Sequence, residues 1–450
     1  MAANHAGEQL ERLTTPPAWH AQVWRLSWPV ILANVTIPLV GLVDVYVMGR
    51  LPDPAYIAAV AMGAAMFSAV YWLFGFLRMG TTGMTAQSYG AKALTEIDAI
   101  FKRALVIAVL LGSTIILLQW PLKAALFMLF EPGANVAALA EAYYDIRIFG
   151  APGLLIHLVE LGILFGLQRM TYTLWLSIGL NLTNLILDYF FVLGLDMGVA
   201  GVALGTIISE WGAAFFGFWL VRAAYRDLGA PSVRVNLLER EALRRFFTIS
   251  SNLILRTFFV QLPFFTGTVL ATQIGDLTLA VHGVLMQLFF MMTYSLDAFA
   301  HTAETLSGYF YGAKNPKGVR KATLYSSIWG FGFALLTGLL YLGTATHIVA
   351  QLTRANEIIT LAAEYLPWLA ISPLFCVWAF LLDGIFIGTT HIIQMRNAMV
   401  LSALCWGVML LITFESWQYH AIWASLNVFM IARAVILGLH YPQIEQGAAG

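Results

Sequence analysis

Long apolar stretches separated by short polar segments follow one another along nearly the whole chain. Each is about 20 residues or longer, the length an α-helix needs to cross a hydrocarbon core about 30 Å thick. The pattern predicts twelve helices, over residues 24–49, 56–86, 102–122, 138–167, 172–194, 199–224, 247–273, 278–309, 322–344, 359–389, 397–414 and 420–440. Several exceed the minimum span, which implies tilt or projection past the bilayer. The expected fold is therefore an all-α polytopic membrane protein. Met1–Ala18 is polar and has neither the apolar core nor the small-residue cleavage site of a removable signal, so the first span is expected to begin at Trp24.

The basic residues orient these spans. Lys92, Lys102 and Arg103 follow span 2, six arginines from Arg222 to Arg245 follow span 6, and Lys314, Lys317, Arg320 and Lys321 follow span 8. Arg169 and Arg396 follow spans 4 and 10, whereas the opposite side carries only Arg50, Lys123 and Arg354. The positive-inside rule puts the first set, and both termini, in the cytoplasm. The expected organisation is a cytoplasmic tail over 1–23, a six-helix lobe over 24–224, a linker over 225–246, a second six-helix lobe over 247–440, and a tail over 441–450. Within the linker, Glu239–Arg245 reads as a short amphipathic helix on the membrane surface.

Tyr-Gly-Ala-Lys occurs at Tyr89–Lys92 and again at Tyr311–Lys314, 222 positions later, each time after a long apolar stretch. At the same offset Gly162-Ile-Leu-Phe-Gly166 meets Gly384-Ile-Phe-Ile-Gly388 and Tyr143 meets Tyr365, while Pro152 and Pro373 align after a one-residue shift. Either these are chance likenesses among apolar helices or the chain is two copies of one unit. With an even number of helices per copy, both halves enter the membrane in the same direction. The substrate site is then expected between two lobes related by an axis along the membrane normal.

Composition agrees with this picture. The 450 residues are 60% hydrophobic and 11% charged, with mean hydropathy +0.78, against about 25% charged in a soluble domain. Net charge is zero, so there is no basic footprint for nucleic acid. The two cysteines, Cys376 and Cys405, are too few for a disulfide framework or a zinc site, and read as small packing residues.

A few ionisable residues interrupt the apolar runs. Asp44 lies in span 1 and Asp188 in span 5, where Asn181, Asn184 and Asp188 share one helix face. A carboxylate at bilayer depth costs about 2.5–3.5 kcal/mol on insertion scales, so it faces a cavity or a partner. Burial disfavours a charged carboxylate, which can bring proton exchange toward neutral pH. Amide and carboxylate oxygens together can bind H+ or Na+; the competing reading is a structural polar seam. At the repeat offset Asp44 meets Thr266 and Asp188 meets Leu410, so neither acid is duplicated.

The second half carries Asp297, His301 and Glu304 along span 8 and Asp383 in span 10. The span-8 stripe suits a water-lined wall or proton relay, with no second cluster to argue for a metal. Arg78 and Arg256 are either counter-ions for these acids or cations reaching toward an interface. Glu160 and Glu210 face either a cavity or a structural partner. Pro29 and Pro38 precede Asp44 inside span 1, where each removes a backbone donor, so they are either a hinge or static packing features. Met286, Phe289, Phe290, Met291, Met292 and Tyr294 suit an adaptable pocket for apolar cations, or else face lipid.

Pro29–Gly49, Trp72-Leu-Phe-Gly-Phe-Leu-Arg-Met-Gly-Thr-Thr-Gly83 through Gly90, Asn181–Asp188 with Gly198-Val-Ala-Gly201, and Leu381-Leu-Asp-Gly-Ile-Phe-Ile-Gly388 resemble stretches of one transporter family. It is the multidrug and toxic compound extrusion (MATE) family, within it the DNA-damage-inducible F branch, and the likeness runs from about Trp24 to Met409. The resemblance implies two six-helix lobes and efflux driven by inward H+ or Na+ flow. It places a cation site at Asp44, Asn184, Asp188 and Thr206, a pocket tyrosine at Tyr143 and the bend of the first helix at Pro29. Asp383 falls near an acid used by a Na+-coupled branch. The glutamate paired with that acid has no match in span 7, whose only ionisable residue is Arg256, so coupling through the first lobe is favoured.

The expected function is an antiporter exporting amphipathic or cationic organic compounds in exchange for H+ or Na+, by rocking alternating access. It would be a monomer in the inner membrane, with no catalysis, no cofactor beyond the coupling ion, and partners limited to small organic substrates and the bilayer. One rival is a lipid-linked precursor flippase of the same superfamily, which calls for a cluster of arginines; Arg78, Arg147 and Arg256 are few for that. The other is an intramembrane prenyl-transfer enzyme, which calls for closely spaced acids holding Mg²⁺–pyrophosphate near an interface. Asp44 and Asp188 are far apart in the sequence and deep in their spans.

Overall fold

A segment surrounded by hydrocarbon must satisfy its own backbone hydrogen bonds, so each of the apolar runs becomes a helix. The computed structural model describes residues 13–48, 50, 55–131, 133–230, 236–237, 239–353 and 355–449, with the side chains of 37–46 and 48 outside the description. Span 1 is Pro16–Met48. Spans 2 to 6 are Ala55–Gly90, Leu94–Leu117, Ala134–Gly166, Met170–Gly194 and Gly198–Leu228. Spans 7 to 12 are Arg240–Ile274, Asp276–Gly312, Pro316–Leu352, Asn356–Gly388, Ile392–Trp417 and Tyr419–Ala449. The twelve helices make an all-α polytopic membrane protein built from two six-helix halves. A further short helix, Gln119–Phe130, follows span 3.

The helices outrun their apolar cores at both ends of the chain. Span 1 starts at Pro16, inside the expected tail, because Pro16 and Pro17 have the φ of a first helical turn and need no backbone donor there. Span 12 continues through the expected 441–450 tail to Ala449. There Arg320 pairs with Glu445 at 2.5 Å and the Tyr441 hydroxyl donates to Thr323 at 3.1 Å. The separate surface helix expected at Glu239–Arg245 does not form. Residues from Arg240 onward are the opening turns of span 7, since no Gly or Pro breaks the ladder before Phe246.

The helices group into two units, one holding Pro29–Leu243 and the other holding Arg244–Gly450 with Arg12–Trp28. The first boundary thus falls at Pro29 rather than at residue 24, and most of the expected linker belongs with the first unit. In the second unit Trp19 stacks on Tyr325 with ring centroids 5.6 Å apart, and Ser27 and Thr302 hydroxyls share a hydrogen bond of 2.8 Å.

The 222-residue offset recurs at the level of single atoms. Span 4 meets span 2 where Gly162 leaves no room for a Cβ against the Arg78 carbonyl, and Gly166 meets Thr82 and Thr85. Span 10 meets span 8 at the equivalent positions: Gly384 lies on the Ala300 carbonyl, and Gly388 on Glu304 and Ser307. Both are Gly-x-x-x-Gly faces, which let helix backbones approach closely where lipid offers no hydrophobic drive to association. The repeated Lys92 and Lys314 are left-handed, with φ of 57° and 52°. Each closes its helix with paired bonds, Ala93 to Ser88 with Lys92 to Tyr89, and Asn315 to Phe310 with Lys314 to Tyr311. Gln168 and Thr390 form another left-handed pair at the same offset.

Overpacking a tight helix contact costs about 1–3 kcal/mol. Gly384→Ala is therefore expected to lower the melting temperature of the purified protein by several degrees. Gly407→Ala, whose Cβ would meet open space, should leave it unchanged; equal melting of the two variants would contradict the close-packing account.

Candidate functional site

Span 5 carries its polar face toward neighbours in the first unit. Asn181 Nδ2 donates to Thr36 Oγ1 on span 1 at 2.5 Å, and the Thr36 hydroxyl donates to the Ala33 carbonyl at 2.6 Å. One turn on, Asn184 Nδ2 donates to Thr206 Oγ1 on span 6 at 3.3 Å. Thr206 in turn donates to the Val202 carbonyl at 2.9 Å. Asp188, a further turn along, is 0% exposed. Its carboxylate fills the space that a side chain at Gly205 would need. Directly after Asp188 the helix widens into a π turn over Phe190–Gly194, a feature frequent at functional sites.

Of the four expected cation ligands, Asn184, Asp188 and Thr206 thus lie along facing stretches of spans 5 and 6. Asp44 belongs to helix Pro16–Met48, but its side chain, like that of Pro38, lies outside the described residues. Pro29 is buried inside the same helix, at the residue where the first unit begins.

A second polar cluster lies along span 6. Arg147 on span 4 makes a two-pronged bond to Glu210, Nη1 to Oε2 at 2.8 Å and Nη2 to Oε1 at 2.5 Å. The guanidinium also lies over the Phe67 and Tyr71 rings, 5.2 and 5.4 Å from their centroids. Tyr143, one turn before Arg147, is buried against Gly63 and beside Phe67. Glu160, on the same span, is 0% exposed and sits against Gly217 of span 6. Neither of its oxygens has a hydrogen bond to any described residue. Arg78 is half-buried with its guanidinium 5.7 Å from the Phe165 ring centroid.

In the second unit Asp383 Oδ2 accepts hydrogen bonds from both Arg256 on span 7 and Arg433 on span 12. Arg433 is 1% exposed and also rests on the Phe380 and Phe429 rings, 5.6 Å from each centroid. The three side chains carry one net positive charge. On span 8, His301 Nδ1 lies 3.1 Å from Glu304 Oε2, and Asp297 is half-buried on the same helix. Met286 is half-buried, Phe289 and Met292 are in the core, and Met291 is exposed. Phe289 packs against Phe264 and Trp423 at 5.8 and 6.1 Å, so the aromatic and methionine stretch divides between core and surface. Among the described residues, no three His, Cys, Asp or Glu side chains are grouped as a metal site would require.

Sequence reasoning named Arg147 and Glu210 without pairing them, and passed over Arg433. All three are ionisable residues inside apolar spans, and that signal was present. Which partner each would meet was not, because 63 residues separate Arg147 from Glu210 and 127 separate Arg256 from Asp383.

The MatE family model matches residues 29–190 and 253–413. The chain is 37% identical over 419 residues to DNA damage-inducible protein F of Escherichia coli, covering 92% of this chain and 90% of that one. Multidrug export protein MepA of Staphylococcus aureus is 23% identical over 414 residues, with 90% and 89% covered. Among solved structures, a MATE protein in a bent conformation superposes with TM-score 0.86 at 20% identity, covering 99% of both chains.

Removing one partner of a buried ion pair costs about 3–5 kcal/mol, because the other charge is left uncompensated. Asp383→Asn strands two guanidiniums and is expected to lower folded yield and melting temperature sharply. Asp383→Asn combined with Arg256→Gln should recover part of the loss; a double variant no better than the single one would refute the pairing.

Proposed function

The chain belongs to the MatE family, and from that premise we propose that it is a secondary antiporter exporting amphipathic or cationic organic compounds. The inward-moving ion is H+, with Na+ as the alternative that the experiment below separates. Coupling is assigned to Asp44, Asn184, Asp188 and Thr206. The observation that carries this reading is the fully buried Asp188 carboxyl, set into the gap at Gly205 and followed one turn away by the Asn184–Thr206 bond. A carboxyl buried to this degree is costly as a free charge, and binding a proton or a cation lowers that cost. The names of relatives support the substrate class: a multidrug export protein in Staphylococcus aureus and a probable multidrug resistance protein in Acinetobacter baylyi.

Protonation of the two acids from outside would bend span 1 and close the first unit's pocket, releasing substrate as the lobes rock. Pro29 supports the bend, since it withdraws one backbone bond at the turn where the helix passes between units. Tyr143, Arg78 and Glu160 in the first unit and Met286, Asp297, His301, Glu304 and Asp383 in the second are assigned to substrate contact or its surroundings. Asp383 is a poor second coupling site, because a cation there would have to displace two guanidiniums. The same commitments count against a flippase: Arg147 is spent on Glu210 and Arg256 on Asp383, which leaves few cations for a pyrophosphate. The protein is placed in the inner membrane as a monomer, and its basic loops support a cytoplasmic position for both termini.

Uptake of a fluorescent organic cation into proteoliposomes, with ΔpH and Na+ gradients imposed separately, tests this. Asp44→Asn and Asp188→Asn are each expected to reduce ΔpH-driven transport about tenfold or more, equivalent to about 1.4 kcal/mol on the barrier. Full ΔpH-driven transport by Asp44→Asn would sink the mechanism. Transport that follows Na+ and ignores ΔpH would reassign the ion and keep the site.

A further inference from the structure

A cavity of about 370 Å³ opens in the first unit, where the beginning of span 3 runs beside the end of span 6. Span 3 starts at Leu94 and span 6 ends at Leu228, so both helices leave the membrane at this end. Counting inward at about 1.5 Å per residue, Asp98, Tyr225 and Arg226 lie nearest the ends, Phe101, Lys102 and Arg222 follow, and Leu105 and Phe218 lie deepest. All of them line the cavity. The charged residues of the lining sit toward the helix ends, and its two deepest residues are apolar.

Its charges are unbalanced. Lys102 is paired with Asp98 at 2.7 Å. The other acids in this neighbourhood are also committed: Asp227 lies 3.5 Å from Arg169 and accepts from the Tyr172 hydroxyl at 3.4 Å, and Glu239 pairs with Arg103. Arg222 and Arg226 are both exposed. Neither side chain makes an ion pair or hydrogen bond with any described residue. Two positive charges one helical turn apart therefore line the cavity without an ion pair among the described residues. The wall below them is held in place: Phe101 lies 6.2 Å from Phe218 and 6.1 Å from Tyr225, whose hydroxyl donates to the Ile97 carbonyl at 3.2 Å. Phe218 is 44% exposed.

We infer that this cavity binds an anionic phospholipid, its phosphate held by Arg222 and Arg226 and the first part of its acyl chains lying on Phe101, Leu105 and Phe218. Guanidinium groups bind phosphate through paired, charge-assisted hydrogen bonds. Basic pockets between membrane helices at the headgroup level are suited to such lipids. A soluble anion would use the arginines and leave the apolar wall without a role. A neutral lipid would use the wall and leave the arginines unmatched. The inference stands apart from the choice of coupling ion and from the identity of the exported compound.

Native mass spectrometry of the full-length protein in detergent tests it, with phosphatidylglycerol, phosphatidylcholine and inorganic phosphate titrated separately. The expected result is retention of one phosphatidylglycerol at concentrations where phosphatidylcholine and phosphate are lost. Arg222→Gln with Arg226→Gln should weaken that binding at least tenfold and abolish the rise in melting temperature that the lipid confers. Arg244→Gln with Arg245→Gln removes the same charge from exposed positions elsewhere and should leave binding intact. Equal loss in both double variants would reduce the effect to net charge and overturn the proposal. Equal retention of phosphatidylcholine, or displacement of the lipid by inorganic phosphate, would overturn it as well. The four positions are solvent-exposed, so the variants are expected to fold, and an unchanged melting temperature without lipid checks this.

Discussion

A charge inside an apolar helix bundle must be met by an opposite charge or a set of hydrogen bonds, and the interior of this protein is arranged around that requirement. Arg147 and Glu210 neutralise each other between spans 4 and 6, with the guanidinium stacked on two rings. Arg256 and Arg433 share Asp383 in the second unit. These groups are spent on holding helices in register, and removing Arg147, Glu210 or Asp383 leaves a buried charge uncompensated. Glu160 stands apart, sealed against Gly217 with neither oxygen bonded to a described residue. Asp188 is fully buried against Gly205 of span 6. A charge on Glu160 would have no partner in hand, and acids in such settings are the ones whose proton occupancy can matter to function.

The duplication governs the backbone and leaves the charges alone. The Gly-x-x-x-Gly contacts, the left-handed helix ends and their bonding pattern recur at 222 residues. At that offset Arg147 meets Leu369, Glu210 meets Ala432, Asp383 meets Leu161 and Arg433 meets Trp211. Close helix packing depends on the absence of side chains at a few positions, and any change there meets a carbonyl immediately. A buried ion pair can be installed in one copy without disturbing the other. One architecture can therefore carry two different interiors.

The number of spans, the all-helical class and the duplicated halves were legible in the chain because hydropathy and backbone self-sufficiency in lipid settle them locally. The polar face of span 5 was legible for the same reason: residues four apart on a helix must share a side. Helix ends were less so. Pro16–Val23 and the residues beyond Tyr441 are too polar to read as span, yet they continue the ladder and find partners such as Tyr325, Thr323 and Arg320.

By itself, the sequence determined that charges were buried in apolar helices, which helices they were on and which face they occupied. Only the tertiary structure decided who answers them. That Arg256 and Arg433 converge on Asp383, that Asn184 reaches Thr206, and that Glu160 lies against Gly217 depend on which faces of helices distant in sequence come together. Hydropathy says that a face is buried and is silent on its neighbour. In a low-dielectric interior, the neighbour determines whether a carboxylate holds the fold together or stays free to bind a proton.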